Sequence, residues 1–249
     1  MIVCSQCTWH DDTYPAIDPT RPELTLFGRT AVITGGGSDI GGAIAQSFAK
    51  AGISHNKTRI AAINPQTEVL LIQADIVNGD QVQKAFETVK STFGEPHILV
   101  NNAAYFDGPV SAFEINVKGS LHVIRSYLSV AAALPRILNV SSGQAHLDAK
   151  FFPGMSAYLS SKMAQLRMID AIQAERPDVF VINCHPGRVM NTLELSGDFG
   201  VWAVSDEAEF LKGRMVWVTW DVDELKVRKD EIINNDLLTA GLGDWPFKQ

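Results

Sequence analysis

The amino-acid sequence predicts an α/β fold, a doubly wound parallel sheet in a single domain. Three observations predict it. Short apolar runs of strand length alternate with segments whose apolar residues recur at helical spacing. The first strand and helix are joined by Gly35-Gly36-Gly37. Later runs end in small or polar residues, such as Asn101-Asn102, Ser141-Ser142 and His185-Pro186, at the carboxyl edge where open parallel sheets place their ligands.

The organising stretch is Thr30–Phe48. Ala31, Val32 and Ile33 form an apolar run, as expected of a strand covered on both faces. Gly35, Gly36 and Gly37 let the backbone turn tightly and approach a ligand closely. Ile40, Ala43, Ile44, Ala45 and Phe48 then repeat at helical spacing. A glycine turn feeding a helix start gathers free backbone N–H groups and the positive end of the helix dipole. That makes an anion site, most often for phosphate. Ahead of it, residues 1–23 carry Pro15, Pro19 and Pro22 and read as an extended lead-in. Residues 24–249 are the folded domain, with Leu24 and Leu26 as anchors.

After the first helix the alternation falters. Arg59–Ile63 and Glu68–Ala74 are both apolar, yet only Asn64–Thr67 separates them. Neighbouring parallel strands need a crossover of about ten to twelve residues or more. Either Arg59–Ile63 is a remnant of the crossover helix, or the second strand is absent or distorted. Glu68–Ala74 reads as the next strand, ending at Asp75. Helices are expected at Gly79–Phe93, Asn116–Ala133, Met155–Glu175 and Asp206–Leu211. Strands are expected at Ile98–Val100, Ile137–Val140, Phe180–Cys184 and Met215–Thr219.

Composition narrows the function. A chain of 249 residues with 46% hydrophobic residues can bury a large core. A net charge of −7 with no basic run argues against nucleic-acid binding. No apolar stretch is long enough to span a bilayer, and the start Met1-Ile-Val-Cys-Ser-Gln-Cys7 has no signal-peptide core, so no membrane partner and a cytoplasmic location are expected. Cys4 and Cys7 have no second pair to complete a zinc site, and Cys184 stands alone in an apolar run, so no metal is expected.

The chemistry falls on Tyr158 and Lys162, four apart and therefore on one helix face. An ammonium beside a phenol stabilises the phenolate, so the tyrosine can pass a proton to or from an alcohol or ketone oxygen. Such a pair also occurs on ordinary helices; Ser142 gives it weight, because it follows a strand and can place a hydroxyl in the same cleft. Asn116, at a helix start, reads either as an N-cap or as the holder of a water that links Lys162 to solvent. Trp202, Trp217 and Trp220 cluster late in the chain and read as core packing, with a pocket lining as the alternative.

Thr34-Gly-Gly-Gly-Ser-Asp-Ile-Gly41, Asp75-Ile76, Asn101-Asn102-Ala103-Ala104, Asn116, Ser142, Tyr158-x-x-x-Lys162 and Pro186-Gly187 together resemble the ordered motifs of the short-chain dehydrogenases/reductases. Phe210-Leu-Lys-Gly-Arg214 and Trp220-Asp-Val-Asp-Glu-Leu225 look like a fungal biosynthetic branch. The resemblance implies a Rossmann-type fold and hydride transfer between a nicotinamide cofactor and a ketone or secondary alcohol, in secondary metabolism. It implies Tyr158 as acid/base, Lys162 as its pKa-lowering partner, Ser142 as donor to the substrate oxygen and Asn116 as relay. It implies Gly35, Ser38, Ile40 and Gly41 around the pyrophosphate, Asp75 at the adenine, and Asn102 and Ala103 near the ribose. Pro186, Gly187, Val189 and Thr192 would line the nicotinamide side, with Tyr158 and Lys162 also touching the cofactor. Relatives pair through the helices carrying Asn116 and Tyr158, which implies a homo-oligomer. NADP is the expected cofactor and NAD the alternative, because His55-Asn56-Lys57-Thr58-Arg59 offers no acidic residue for the ribose. Lys57 and Arg59 read either as partners of a 2′-phosphate or as solvated surface charges.

The departures from the pattern are as informative. Asp39 stands where the family has glycine; its β-carbon crowds the cofactor approach and its carboxylate repels the pyrophosphate. Asn-Asn-Ala-Ala replaces Asn-Asn-Ala-Gly. Three segments look shortened: the second-strand region, Ala104–Asn116, and Thr192–Val201, in which Leu193–Gly197 is expected to form at most a turn in place of a lid. The alternative function is accordingly a non-catalytic or impaired relative that serves as a binding or scaffold subunit.

Overall fold

The computed structural model describes residues 8–37, 39–53, 64, 66–187 and 192–241. Among the described residues five strands form one sheet: β1 (Ala31–Ile33), β2 (Ile98–Asn101), β3 (Arg136–Val140), β4 (Phe180–His185) and β5 (Met215–Trp217). All four pairings are parallel and the strands lie side by side in chain order. The helices are α1 (Asp39–Lys50), α2 (Gly79–Phe93), α3 (Pro109–Phe113), α4 (Ser120–Val130), α5 (Ser156–Glu175), α6 (Leu193–Ala203), α7 (Val222–Val227) and α8 (Lys229–Asn234).

Period-two alternation along the strands feeds two cores. Ile98, Val100, Leu138 and Val140 pack with Ile44 and Phe48 of α1 and with Leu195 and Phe199 of α6. Leu99 and Ile137 pack on the opposite face with Phe86 of α2, Ile124 and Tyr127 of α4 and Ile169 of α5. Helix ends follow local chemistry. Asn78 caps α2 by accepting from Gln81 N at 3.1 Å, and Gly94 ends it at φ 80°, where a side chain would be strained.

Four expectations are corrected. Glu68–Ala74 is not a strand: residues 69–75 have no regular structure, and Leu71 is 65% exposed. The four-residue link from the preceding apolar run is too short for a crossover, and an apolar run without a paired neighbour cannot satisfy its backbone as a strand. Leu193–Gly197 is not a turn but the first half of an eleven-residue helix, buried from Leu195 to Ala203. Thr192 caps it, and Gly197 lets it cross α1 closely: a Cβ there would lie 2.7 Å from Ala43 O. Ala104–Asn116 does hold a helix, the single turn of α3, which runs through a π-helical turn (Glu114–Gly119) into α4. Met215–Thr219 keeps strand geometry only to Trp217. Arg59–Ile63 and the Lys57 region lie outside the described residues.

The lead-in joins the far end of the fold. Ile17 and Leu24 are fully buried, and Thr13 donates to Asp198 of α6 at 2.5 Å while Ser47 of α1 donates to its other oxygen at 2.6 Å. Among the described residues no helix is long and apolar enough to cross a membrane.

Candidate active site

The sheet's carboxyl edge collects the reactive side chains. β3 runs into Ser141-Ser142, and Ser142 is buried. α5 begins two residues before Tyr158 and turns Ser161, Lys162 and Gln165 inward. These polar residues share the buried stripe with Leu166 and Ile169, so the start of α5 serves chemistry and the later turns serve packing.

Tyr158 is half-buried and its phenol interacts with the Ser142 hydroxyl. Burial pushes its pKa above the usual tyrosine value, and the Ser142 bond offsets part of that. Lys162 is 2% exposed; burial pushes its pKa down to about 8. Its ammonium donates to Val140 O at 3.0 Å and Gln165 Oε1 at 3.3 Å. Cys184, on β4, has its thiol pushed up to about 12 by burial and stays neutral beside that ammonium.

Asn116 sits inside the π-helical turn rather than at a helix start, so it is no N-cap. π turns within longer helices re-aim side chains and recur at functional sites. Asn116 Oδ1 accepts from Tyr105 N at 2.8 Å; Nδ2 donates to Tyr105 O at 2.9 Å and to Ser161 Oγ at 3.0 Å. Both amide donors are used and one acceptor position remains. The amide thereby clamps the loop after β2 against the start of α5. Ser142, Tyr158, Lys162 and Asn116 thus lie in one neighbourhood.

At the other end, the glycine turn is shaped by contact. A Cβ on Gly41 would lie 2.3 Å from Gly35 O, and one on Gly35 would lie 3.0 Å from Asn102 Nδ2. Thr34 Oγ1 accepts from Asn102 N and Ala103 N, both at 3.0 Å, and Asn102 Nδ2 donates to Thr34 O at 3.0 Å. Asn102 therefore ties β2 to the turn. Ile40 lies in the first turn of α1, partly buried against the core. Asp39 opens α1 at φ 48°, a conformation that suits glycine, with its side chain exposed. Asp75 is not at a strand end; its carboxylate accepts from Val77 N at 3.0 Å in the turn before α2. On the nicotinamide side, Pro186 O accepts from Ser196 Oγ at 2.5 Å, Gly187 has φ 97°, and Thr192 both caps α6 and donates to Asp12 at 2.7 Å. Ser38 and Val189 lie outside the described residues.

A cleft of about 1060 Å³ opens from the glycine turn along the outer edge of β1, between α1 and α2. Its walls include Val32, Ile33, Ala85 and Phe86, with Leu71 and Ile72 on the irregular stretch. Gly35, Gly36, Gly37 and Asp39 line it, whereas Ser142, Tyr158, Lys162, Pro186 and Gly187 do not, and the bare backbone at Gly37 leaves room for a phosphate. The Asp39 carboxylate is the one feature of the turn that opposes an anion.

Several neighbours carry no sequence signal of their own. Phe106 packs on the Tyr158 ring at 5.0 Å and is 56% exposed. Trp217 lies under Gly143, where a Cβ would be 2.5 Å from its ring, and stacks on Trp220 at 6.1 Å. Trp202 is wholly buried, whereas Trp217 and Trp220 are only partly so. The hidden polar chain of Asn101, Asn139 and Asn183 was legible only as one asparagine near the end of each central strand; register makes them neighbours.

The residues 29–195 match the family model of the short chain dehydrogenases. The chain is 32% identical to the short chain dehydrogenase pigC of Monascus ruber, over 281 positions covering 93% of this chain and 91% of the relative. It is 30% identical to the short chain dehydrogenase citE of the same species, over 94% of this chain and 96% of that one. An alignment of 281 positions exceeds the 249 residues of the chain, so the relative carries segments that this chain lacks. A Burkholderia cenocepacia short chain dehydrogenase solved with NADP superposes with a TM-score of 0.67 at 23% identity, over 80% of this chain and 99% of that one. The chain belongs to the short-chain dehydrogenase family. It is, with that family, an NAD(P)-dependent oxidoreductase.

Proposed function

We propose that the protein transfers hydride between a nicotinamide cofactor, NADP in preference to NAD, and a ketone or secondary alcohol. The observation that carries this reading is Ser142 beside Tyr158, with buried Lys162 one turn further along the same helix. Bound along the glycine turn and towards Pro186-Gly187, the cofactor would supply the hydride to the carbonyl carbon.

The chain's own residues handle the proton. Ser142 holds the substrate oxygen, and Tyr158 gives its phenolic proton to that oxygen as charge develops there. An ammonium carries three donors, and Lys162 spends two on Val140 and Gln165. The third is left over, and a positive charge brought to the phenol side would stabilise phenolate against the cost of burial. Asn116, through its remaining acceptor position, holds the water that returns the proton. Phe106 and Trp217 give the neighbourhood an apolar wall suited to a carbonyl on a largely apolar body. The likeness to fungal enzymes of 30–32% identity supports a place in secondary metabolism, and the structural neighbour's NADP supports the cofactor.

Asp39 and the cleft beside β1 favour a second reading, a scaffold subunit without turnover. Titration with NADPH and NADH, followed by tryptophan quenching, separates the two. Saturable binding with carbonyl-dependent loss of NADPH absorbance supports the oxidoreductase. A folded protein that binds neither cofactor overturns it.

A further inference from the structure

We propose that Gln165 is a positioning residue that aims the Lys162 ammonium and keeps it charged, one turn beyond the reacting pair. The inference rests on the oxidoreductase reading for its catalytic consequence, but its geometry stands alone. Gln165 is fully buried on α5, three residues after Lys162, and its Oε1 accepts from Lys162 Nζ at 3.3 Å. Its amide is held at both ends. Nε2 donates to Ser120 Oγ at 2.7 Å, and the same oxygen accepts from Asn101 Nδ2 at 3.2 Å. Asn101 Nδ2 also donates to Asn139 Oδ1 at 2.9 Å, and Asn139 Nδ2 to Asn183 Oδ1 at 2.9 Å. Turning the Gln165 amide over would set its N–H donors against the ammonium. A buried hydrogen-bond chain spanning β2, β3 and β4 therefore holds one carbonyl oxygen on the lysine.

The surroundings make that oxygen matter. A buried ammonium needs acceptors in place of water. Among the described residues, Lys162 has two, Val140 O from β3 and Gln165 Oε1. Cys184 on β4 is the titratable group that interacts with it, and Tyr158 lies one turn earlier on its own helix; Asn116, Ser120 and Ser161 on the neighbouring turns are neutral. No carboxylate among the described residues pairs with it, so loss of one amide oxygen is not made good by a charge. An apolar residue at 165 would leave the ammonium with a single backbone acceptor and favour its neutral form.

The test compares wild type with Gln165→Leu and Gln165→Glu by two readouts. The first is an NMR titration of ¹³Cε-lysine-labelled protein, with the Lys162 signal assigned as the one lost in Lys162→Arg. Gln165→Leu should lower its midpoint by about one pH unit and Gln165→Glu should raise it. The second is the pH profile of kcat for carbonyl reduction. For Gln165→Leu the alkaline limb should move to lower pH, with kcat at pH 8 down about fivefold and KM for the carbonyl substrate little changed. A merely structural role lowers activity evenly across pH and leaves the midpoint in place; equal midpoints in all three proteins overturn the proposal. Should no carbonyl be turned over, the oxidoreductase reading fails, and the NMR midpoints still decide the role of Gln165. If Gln165→Leu does not fold, the upward shift in Gln165→Glu is the deciding result, and its absence refutes the proposal.

Discussion

β4 is buried at all six positions with a strand on either side, whereas β1 is partly exposed at all three and has a described strand on one side only. Both are short apolar runs, so the difference lies in what surrounds them. The β3–β4 end holds Ser142, Tyr158 and Lys162 in a packed, hydrogen-bonded neighbourhood. The β1 end holds the glycine turn beside a cleft of about 1060 Å³. A strand with a described neighbour on one side only draws less support from the sheet than one flanked on both sides. The comparison teaches that the reacting groups draw their positions from the sheet centre rather than from β1.

The largest expected effect breaks the comparison at its strong end. Tyr158→Phe removes the proton donor, and turnover should fall about 10³-fold while NADPH affinity stays within about twofold. Steady-state kinetics and a quenching titration read the two; retained turnover would place the chemistry elsewhere.

At the weak end, Gly41→Ala sets a Cβ 2.3 Å from the Gly35 carbonyl and 2.6 Å from Asn102 Nδ2. Backbone cannot yield as a flexible side chain does, so a loss of about 1–3 kcal/mol is expected in urea unfolding, with cofactor affinity lost alongside. An unchanged midpoint and affinity would mean that the turn is looser than its contacts indicate.

Lys162→Met should move stability and activity in opposite directions. The folded-state pKa of Lys162, about 8, lies below its unfolded value of 10.5. The unfolded chain therefore binds the proton more tightly, and stability rises with pH between those values. Below pH 8 the full cost of burial is present, so the methionine variant should be about 1–3 kcal/mol more stable at pH 7. That advantage should fade as pH rises towards 10.5, and turnover should be lost. A variant less stable at pH 7 would show that the hydrogen bonds to Val140 and Gln165 outweigh desolvation.

Asp39→Gly sharpens the weak end by the smallest step. It relieves a residue held at φ 48° and removes a carboxylate from the start of α1. NADPH binding should tighten about three- to tenfold, worth about 1 kcal/mol. Unchanged or weaker affinity would reject the carboxylate as the obstruction.

Much of this was legible from residue order. The alternation of runs and periodicities located all five strands, and Gly79–Phe93 was bounded to the residue. α6 was not legible, because Leu193–Ala203 has apolar residues on every side and two glycines, which local propensity scores against a helix. Burial against α1 overrides that, and only the fold supplies α1 as a partner. Val69–Ile72 erred the other way: strand propensity without a neighbouring strand has no ladder to join. Asn116 read as a helix start, either an N-cap or a relay residue, because the π turn that carries it joins α3 to α4, and nothing local marks that continuity.

The sequence by itself determined the parallel α/β fold, the family, the glycine turn and the Tyr158–Lys162 spacing, since each rests on periodicity or on residues close in the chain. Tertiary structure alone decided what burial does to Tyr158 and Lys162, and that Gln165, Ser120 and three asparagines form one buried hydrogen-bond chain. Those outcomes depend on register and packing between segments far apart in sequence, and on how much water the packing leaves.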